Sequence, residues 1–137
     1  MDEKVNYIDI AVRKRGFTGL CGLEYAEITD DCCVITCPLR PELLNPNGIA
    51  HGGLIATLTD VASGSLALQL DRCEREICTQ SCNIHYLRPG TGKVLTARAH
   101  LIRKGGHVCV VQADCCNDSG VLVATSIYEI AYLGSRQ

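Results

Sequence analysis

Between Gly52 and Leu70 the chain runs without a proline, and Leu54, Leu58, Val61 and Ser65 alternate with Ile55, Ala62 and Leu66 at intervals of three and four. That spacing predicts a buried helix, the one long helix of the chain. Elsewhere the period is two. In 94–102, Leu95, Ala97, Ala99 and Leu101 fall on one face, while Thr96, Arg98 and His100 share the other with Val94 and Ile102. Such alternation predicts a strand packed on one side. Three further extended runs, at about 77–87, 107–116 and 121–133, are separated by Pro89-Gly90, Lys104-Gly105-Gly106 and Asn117-Asp118-Ser119-Gly120. Upstream, two short apolar runs at about 22–28 and 32–38 flank Thr29-Asp30-Asp31, which reads as a hairpin. Pro41, Asn45, Pro46, Asn47 and Gly48 predict a loop. Val5, Ile8 and Val12, at helical spacing before Gly16, predict a short amphipathic helix opening the chain. The order is that of an α+β domain: a short N-terminal helix, two strands, one long helix and four strands. A helix apolar nearly all round must be enclosed, and a curved antiparallel sheet of about six strands wrapped around it is the economical solution.

Composition narrows the picture. The 137 residues are 47% apolar and 20% charged, enough for one core and one domain spanning 1–137. Aromatics are only 4% with no Trp, so that core must be built from Val, Ile, Leu, Ala and Cys. Thirteen basic against fifteen acidic residues leave a net charge of −2, which argues against nucleic acid as a partner. No run approaches the ~18 consecutive apolar residues of a membrane span, and Met1-Asp2-Glu3-Lys4 lacks a secretory layout, so a cytoplasmic protein without a membrane partner is expected. Ten cysteines are then expected to be reduced and to behave as small hydrophobes; none of their spacings forms a C-x2-C knuckle, and no metal is expected.

Candidate chemistry is concentrated where the loop meets the long helix. Asn45-Pro46-Asn47-Gly48-Ile49-Ala50-His51-Gly52-Gly53 sets two glycines where the first free N–H groups of a helix emerge, an arrangement suited to an oxyanion hole. A tight turn is the plainer reading. Asp60 tips the balance, because a carboxylate inside an apolar helix is costly unless something uses it. It lies on a stripe of small residues, Gly53, Ala56, Thr57, Ser63, Gly64 and Ala67, although Thr57 or Ser63 could simply bond it. Gly52 and Asp60 are eight residues apart on one helix, hence roughly 12 Å along its axis. One carbonyl cannot be served by both from a single chain. If both act on one electrophile, two antiparallel copies of the helix must share two sites in a two-fold dimer.

The run from Asn45 through His51-Gly52-Gly53, Asp60 nine residues after the histidine, and the strand Asn83-Ile84-His85-Tyr86-Leu87-Arg88-Pro89 together resemble the hotdog-fold acyl-CoA thioesterases. The match is with the phenylacetate-degradation (PaaI-like) branch of the 4-hydroxybenzoyl-CoA thioesterase superfamily, over about residues 20–133. The resemblance implies a hotdog fold and hydrolysis of a medium-chain or aryl acyl-CoA to free acid and CoA. It implies that Gly52 supplies the oxyanion N–H, that Asp60 from the partner subunit acts as general base or as nucleophile through an anhydride, and that Asn45 orients water or the acyl group. Thr79, four residues before Asn83, falls where the family often carries a hydroxyl that holds the water or the Asp60 carboxylate.

Further expectations follow from these roles. His51 could be a base, but just ahead of the helix its imidazole more plausibly fixes the turn that aims Gly52. Gly53, Leu54, Leu58 and Val61 would border the acyl group in a tunnel between paired helices, and Arg88, Arg103 and Lys104 would meet the CoA phosphates. His85, His100 and His107 read as packing or surface residues, and Tyr86 as core or interface. No cofactor is expected beyond the CoA of the substrate; the partner is a second copy of the chain, as a homodimer or a dimer of dimers. A binding module that holds acyl-CoA without hydrolysing it is the rival. Serine-hydrolase chemistry lacks a Gly-x-Ser-x-Gly elbow, a cysteine–histidine pair lacks diagnostic spacing, and a dehydratase of this fold would need a histidine that the helix does not carry.

Overall fold

The computed structural model describes residues 5–135. Its elements are α1 (Ile10–Arg13), α2 (Phe17–Leu20), β1 (Glu24–Ile28), β2 (Cys32–Pro38), α3 (Gly52–Leu70), β3 (Arg75–Tyr86), β4 (Val94–Lys104), β5 (Val108–Asn117) and β6 (Leu122–Ser135), with a single 3-10 turn at Pro41–Leu43. The six strands form one antiparallel sheet in the order β1-β2-β4-β5-β6-β3, wrapped around α3. The hairpin β1–β2 turns at Thr29, whose hydroxyl accepts from the N–H groups of Asp31 and Cys32.

Alternation along the strands selects the face that meets the helix. Leu95, Ala97 and Ala99 of β4, Cys109, Val111, Ala113 and Cys115 of β5, and Tyr128 and Ile130 of β6 are buried against it. Most of these side chains are small, which lets the sheet curve closely around α3, where Leu58 and Leu66 are fully enclosed. Burying each such leucine contributes about 1.5–3 kcal/mol. Two tyrosines reach from β6 to the helix backbone: the Tyr128 hydroxyl donates to the Ala56 carbonyl at 3.0 Å and bonds Thr59 Oγ1 at 2.7 Å, and the Tyr132 hydroxyl donates to the Ala67 carbonyl at 2.7 Å. Burial raises the pKa of both phenols, which keeps them protonated donors. By length and hydropathy α3 would suit a membrane span, yet 67% of it is buried inside the fold, which accounts for its apolarity.

The expected N-terminal helicity is present, but it is divided between two four-residue helices, α1 and α2. Of the apolar triad only Ile8 is buried; Val5 and Val12 face solvent, so their spacing had no core behind it. The cysteines behave largely as expected: Cys21, Cys33, Cys37, Cys109 and Cys115 are buried free thiols, whereas Cys78 and Cys82 are exposed on β3. Burial pushes Cys33 and Cys115 up to about 12, which makes them inert.

Candidate active site

The tip of α3 is shaped by its own histidine. His51 is the N-cap, and its Nδ1 accepts from the Gly53 N–H at 2.8 Å. The ring lies over Gly53 so closely that a Cβ there would stand 3.0 Å from Nδ1, so glycine at 53 makes room for the cap. With Gly53 occupied, the Gly52 N–H is left without a partner among the described residues. Gly52 is held from the other side: the Tyr86 hydroxyl donates to its carbonyl at 3.0 Å. A Cβ at Gly52 would meet only the Tyr86 ring, at 3.5 Å or more, so no neighbour in the protomer demands glycine there. Asn45 folds its own loop, its Oδ1 accepting from the N–H groups of Asn47 and Ile49.

Asp60, half-buried on α3, takes neither Thr57 nor Ser63. Thr57 donates to the Gly53 carbonyl, and Ser63 Oγ is buried without a partner. The carboxylate instead accepts from Thr79 Oγ1 at 2.6 Å through Oδ1, and Oδ2 has no partner among the described residues. Thr79 and Tyr86 thus attach to the two ends of the same stretch of helix. Seven residues apart on a regular strand they would point to opposite faces. A bulge between Thr79 and Ser81 corrects this: Thr79 pairs with Ile130 and Tyr86 with Ala124, both buried, which sets both side chains toward the helix.

Within one chain the two ends stay apart. Gly52, Asn45, Ile55, Tyr86 and Arg88 line a hollow of about 370 Å³, whereas Asp60, Val61, Gly64, Ile77 and Thr79 line another of about 290 Å³. Leu54 lines a third, larger hollow together with His51 and Gly53. Leu58 does not border any of these; it is wholly inside the core and is corrected from an acyl contact to a packing residue. Arg103 and Lys104 close β4 away from the Gly52 of their own chain. Lys104 packs over the Tyr132 ring beside Ala67, at the C-terminal end of α3, the end remote from Gly52. Arg88 stays at the Gly52 end, where its guanidinium donates to the Leu122 carbonyl. Tyr86 is the site residue that sequence reasoning passed over, and its only signal was its place in the Asn83–Pro89 run. No three potential metal ligands converge among the described residues.

Comparison with known proteins adds to this geometry. The family model described as Thioesterase superfamily matches residues 47–124, more than half of the chain. A putative esterase of Saccharolobus solfataricus is 30% identical over 94 residues, 69% of this chain and 66% of its own length. The medium/long-chain acyl-CoA thioesterase YigI of Escherichia coli is 29% identical over 91 residues, 57% of this chain and 59% of its own. The chain therefore spans about three fifths to two thirds of the length of these curated relatives. The acyl-coenzyme A thioesterase PaaI of Escherichia coli is 27% identical over 104 residues, 75% of this chain and 72% of its own. The solved structure of the E. coli PaaI protein superposes with a TM-score of 0.84 at 22% identity, covering 92% of this chain and 91% of that one.

Proposed function

This chain belongs to the thioesterase superfamily, in its hotdog-fold, PaaI-like group, and from that premise we propose that it hydrolyses acyl-CoA thioesters at a site built jointly by two copies. The observation that carries the reading is the separation on one chain of a free amide donor at Gly52 from a tethered carboxylate at Asp60, each opening into its own hollow. Only a second copy can bring the missing half. The strand that would recruit it is β3, one of the two edge strands of the sheet, whose residues from Cys78 to Asn83 are all exposed. Antiparallel pairing of β3 with its copy about a two-fold axis near Asn83 sets Tyr86 of one protomer across from the partner subunit's Thr79. Gly52 then lies beside the partner subunit's Asp60.

The chemistry follows from that meeting. The Gly52 N–H, backed by the dipole of a 19-residue helix, donates to the thioester carbonyl oxygen. The free Oδ2 of Asp60 takes a proton from water, and the water oxygen adds to the carbonyl carbon as the carbonyl electron pair moves to oxygen. When the tetrahedral intermediate collapses, the carbon–sulfur bond breaks and the thiolate of CoA recovers the proton from Asp60. Attack by Asp60 itself, through an anhydride, uses the same groups. In either route the electron pairs travel from oxygen to carbon to sulfur, so no redox cofactor takes part. Thr79 holds Oδ1 and so orients Oδ2, Asn45, which lines the Gly52 hollow, steers water or the acyl oxygen, and Arg88 in the same lining meets CoA phosphate. A medium-chain or aryl acyl group fits the apolar surroundings, and the medium-chain choice agrees with the relative YigI, a medium/long-chain acyl-CoA thioesterase.

The test is release of CoA from a panel of acyl-CoAs, followed with a thiol reagent and a protein-only blank, since Cys78 and Cys82 are exposed. Asp60→Asn is expected to lower kcat by about 10²–10⁴-fold with little change in KM. Tight acyl-CoA binding by the native protein with no release from any substrate would establish the binding-module rival instead.

A further inference from the structure

We propose that the hollow of about 690 Å³ beneath α2 receives the acyl chain, and that Phe17 and Leu20 form the outer wall that sets its length. This rests on the acyl-CoA reading above and moves the acyl group away from the inter-helix tunnel expected around Leu58 and Val61. Three observations point the same way. First, the hollow reaches the reaction centre, because His51 and Gly53, the residues on either side of Gly52, both line it. The helix tip therefore separates it from the hollow holding Asn45, Tyr86 and Arg88, which leaves one side for the acyl chain and the other for CoA. Second, its volume lies within the range of small-molecule sites, and Phe17, Leu20, Leu43 and Leu54 make its surface mostly apolar.

Third, the wall is anchored by its backbone while its side chains remain unpacked. The Arg40 guanidinium donates to the Leu20 carbonyl and Cys37 Sγ to the Cys21 carbonyl, which fixes α2 across the hollow. Yet Phe17 is 61% and Leu20 70% exposed, the two most exposed large apolar side chains among the described residues. A four-residue helix held by such bonds, with its two largest side chains unburied over an apolar hollow, is a wall waiting for an apolar occupant. An acyl chain supplies the missing contacts. Arg40 is in this account a positioning residue, acting through α2.

The experiment measures binding of S-alkyl-CoA thioethers carrying butyl, octyl and dodecyl chains by calorimetry, beside hydrolysis of butyryl-CoA. For the native protein the affinity is expected to rise on the order of threefold to fourfold for each methylene the hollow encloses. Phe17→Ala/Leu20→Ala should cut that gain to about 1.5-fold or less per methylene. Both residues are exposed, so the core survives their loss. Leu43→Phe, which narrows the hollow from below, should move the preference from dodecyl toward butyl. An unchanged chain-length dependence in both variants would overturn the proposal, with butyryl-CoA hydrolysis still standing for the catalytic reading. Weakened self-association of the double variant in sedimentation, again with unchanged chain-length dependence, would identify the α2 surface as a subunit contact and overturn it equally. Failure of every thioether to bind would remove both readings together.

Discussion

At the residue scale the helix cap and a catalytic base make different demands on His51. As the cap, its Nδ1 satisfies an N–H that would otherwise be orphaned, and the ring holds the tip that presents Gly52. His51→Ala is then expected to cost about 1 kcal/mol in chemical denaturation and to lower kcat as the tip frays. Asn is an excellent cap but no base at neutral pH, so His51→Asn should recover the stability and most of the rate. Equal loss of kcat in both variants would return His51 to direct chemistry. Single residues were unevenly legible in the sequence. Thr79 and Asp60 could be paired by their positions in the family pattern, and the structure joins them at 2.6 Å. Leu58 could not be placed, because a helix apolar on every side carries no mark of which side meets the sheet. The position of Lys104 was open to a simple argument: turns at the two ends of one strand, Pro89-Gly90 before β4 and Lys104-Gly105 after it, lie at opposite ends of the sheet.

At the scale of elements, β3 matters because it connects the two chemical groups. Its bulge turns Thr79 and Tyr86 to the same face, one on the Asp60 carboxylate and the other on the Gly52 carbonyl. No sequence rule announces a bulge of this kind, and a hydrogen bond from a side chain to a backbone carbonyl leaves no periodic trace. The bounds of α3 and the number of strands were readable because long apolar periods and glycine turns report burial directly. The division of the N-terminal segment into two helices was not, since four-residue helices hold too few positions for a period to exist. Tyr86 gives this scale its prediction. Tyr86→Phe keeps the ring against Gly52 but releases its carbonyl, a bond worth about 1 kcal/mol. The expected result is a fall in kcat of about fivefold with KM nearly unchanged. Amide exchange at the start of α3 should speed up in the same variant, which a residue touching only substrate would not produce.

On the scale of the whole molecule, the arrangement can be tested by breaking each half of the site in a different copy. Gly52 is the first residue of α3, where proline is well tolerated and where His51 already has the extended backbone that proline requires of its predecessor. Gly52→Pro therefore deletes the N–H left free at the helix tip with little damage to the helix, and should lower kcat by about 10²–10³-fold. Asp60→Ala removes the carboxylate. In a shared-site dimer, a hybrid of one Gly52→Pro chain and one Asp60→Ala chain contains one site with both defects and one with neither. Unfolding and refolding an equal mixture makes about half of the dimers hybrids, each with one of its two sites intact, so about a quarter of native activity should return. The separate variants, taken through the same cycle, should stay inactive. If donor and carboxylate served one substrate from the same chain, no hybrid would contain a complete site and the mixture would remain as inactive as its parts. The roughly 12 Å of helix between Gly52 and Asp60 is the reason to expect recovery.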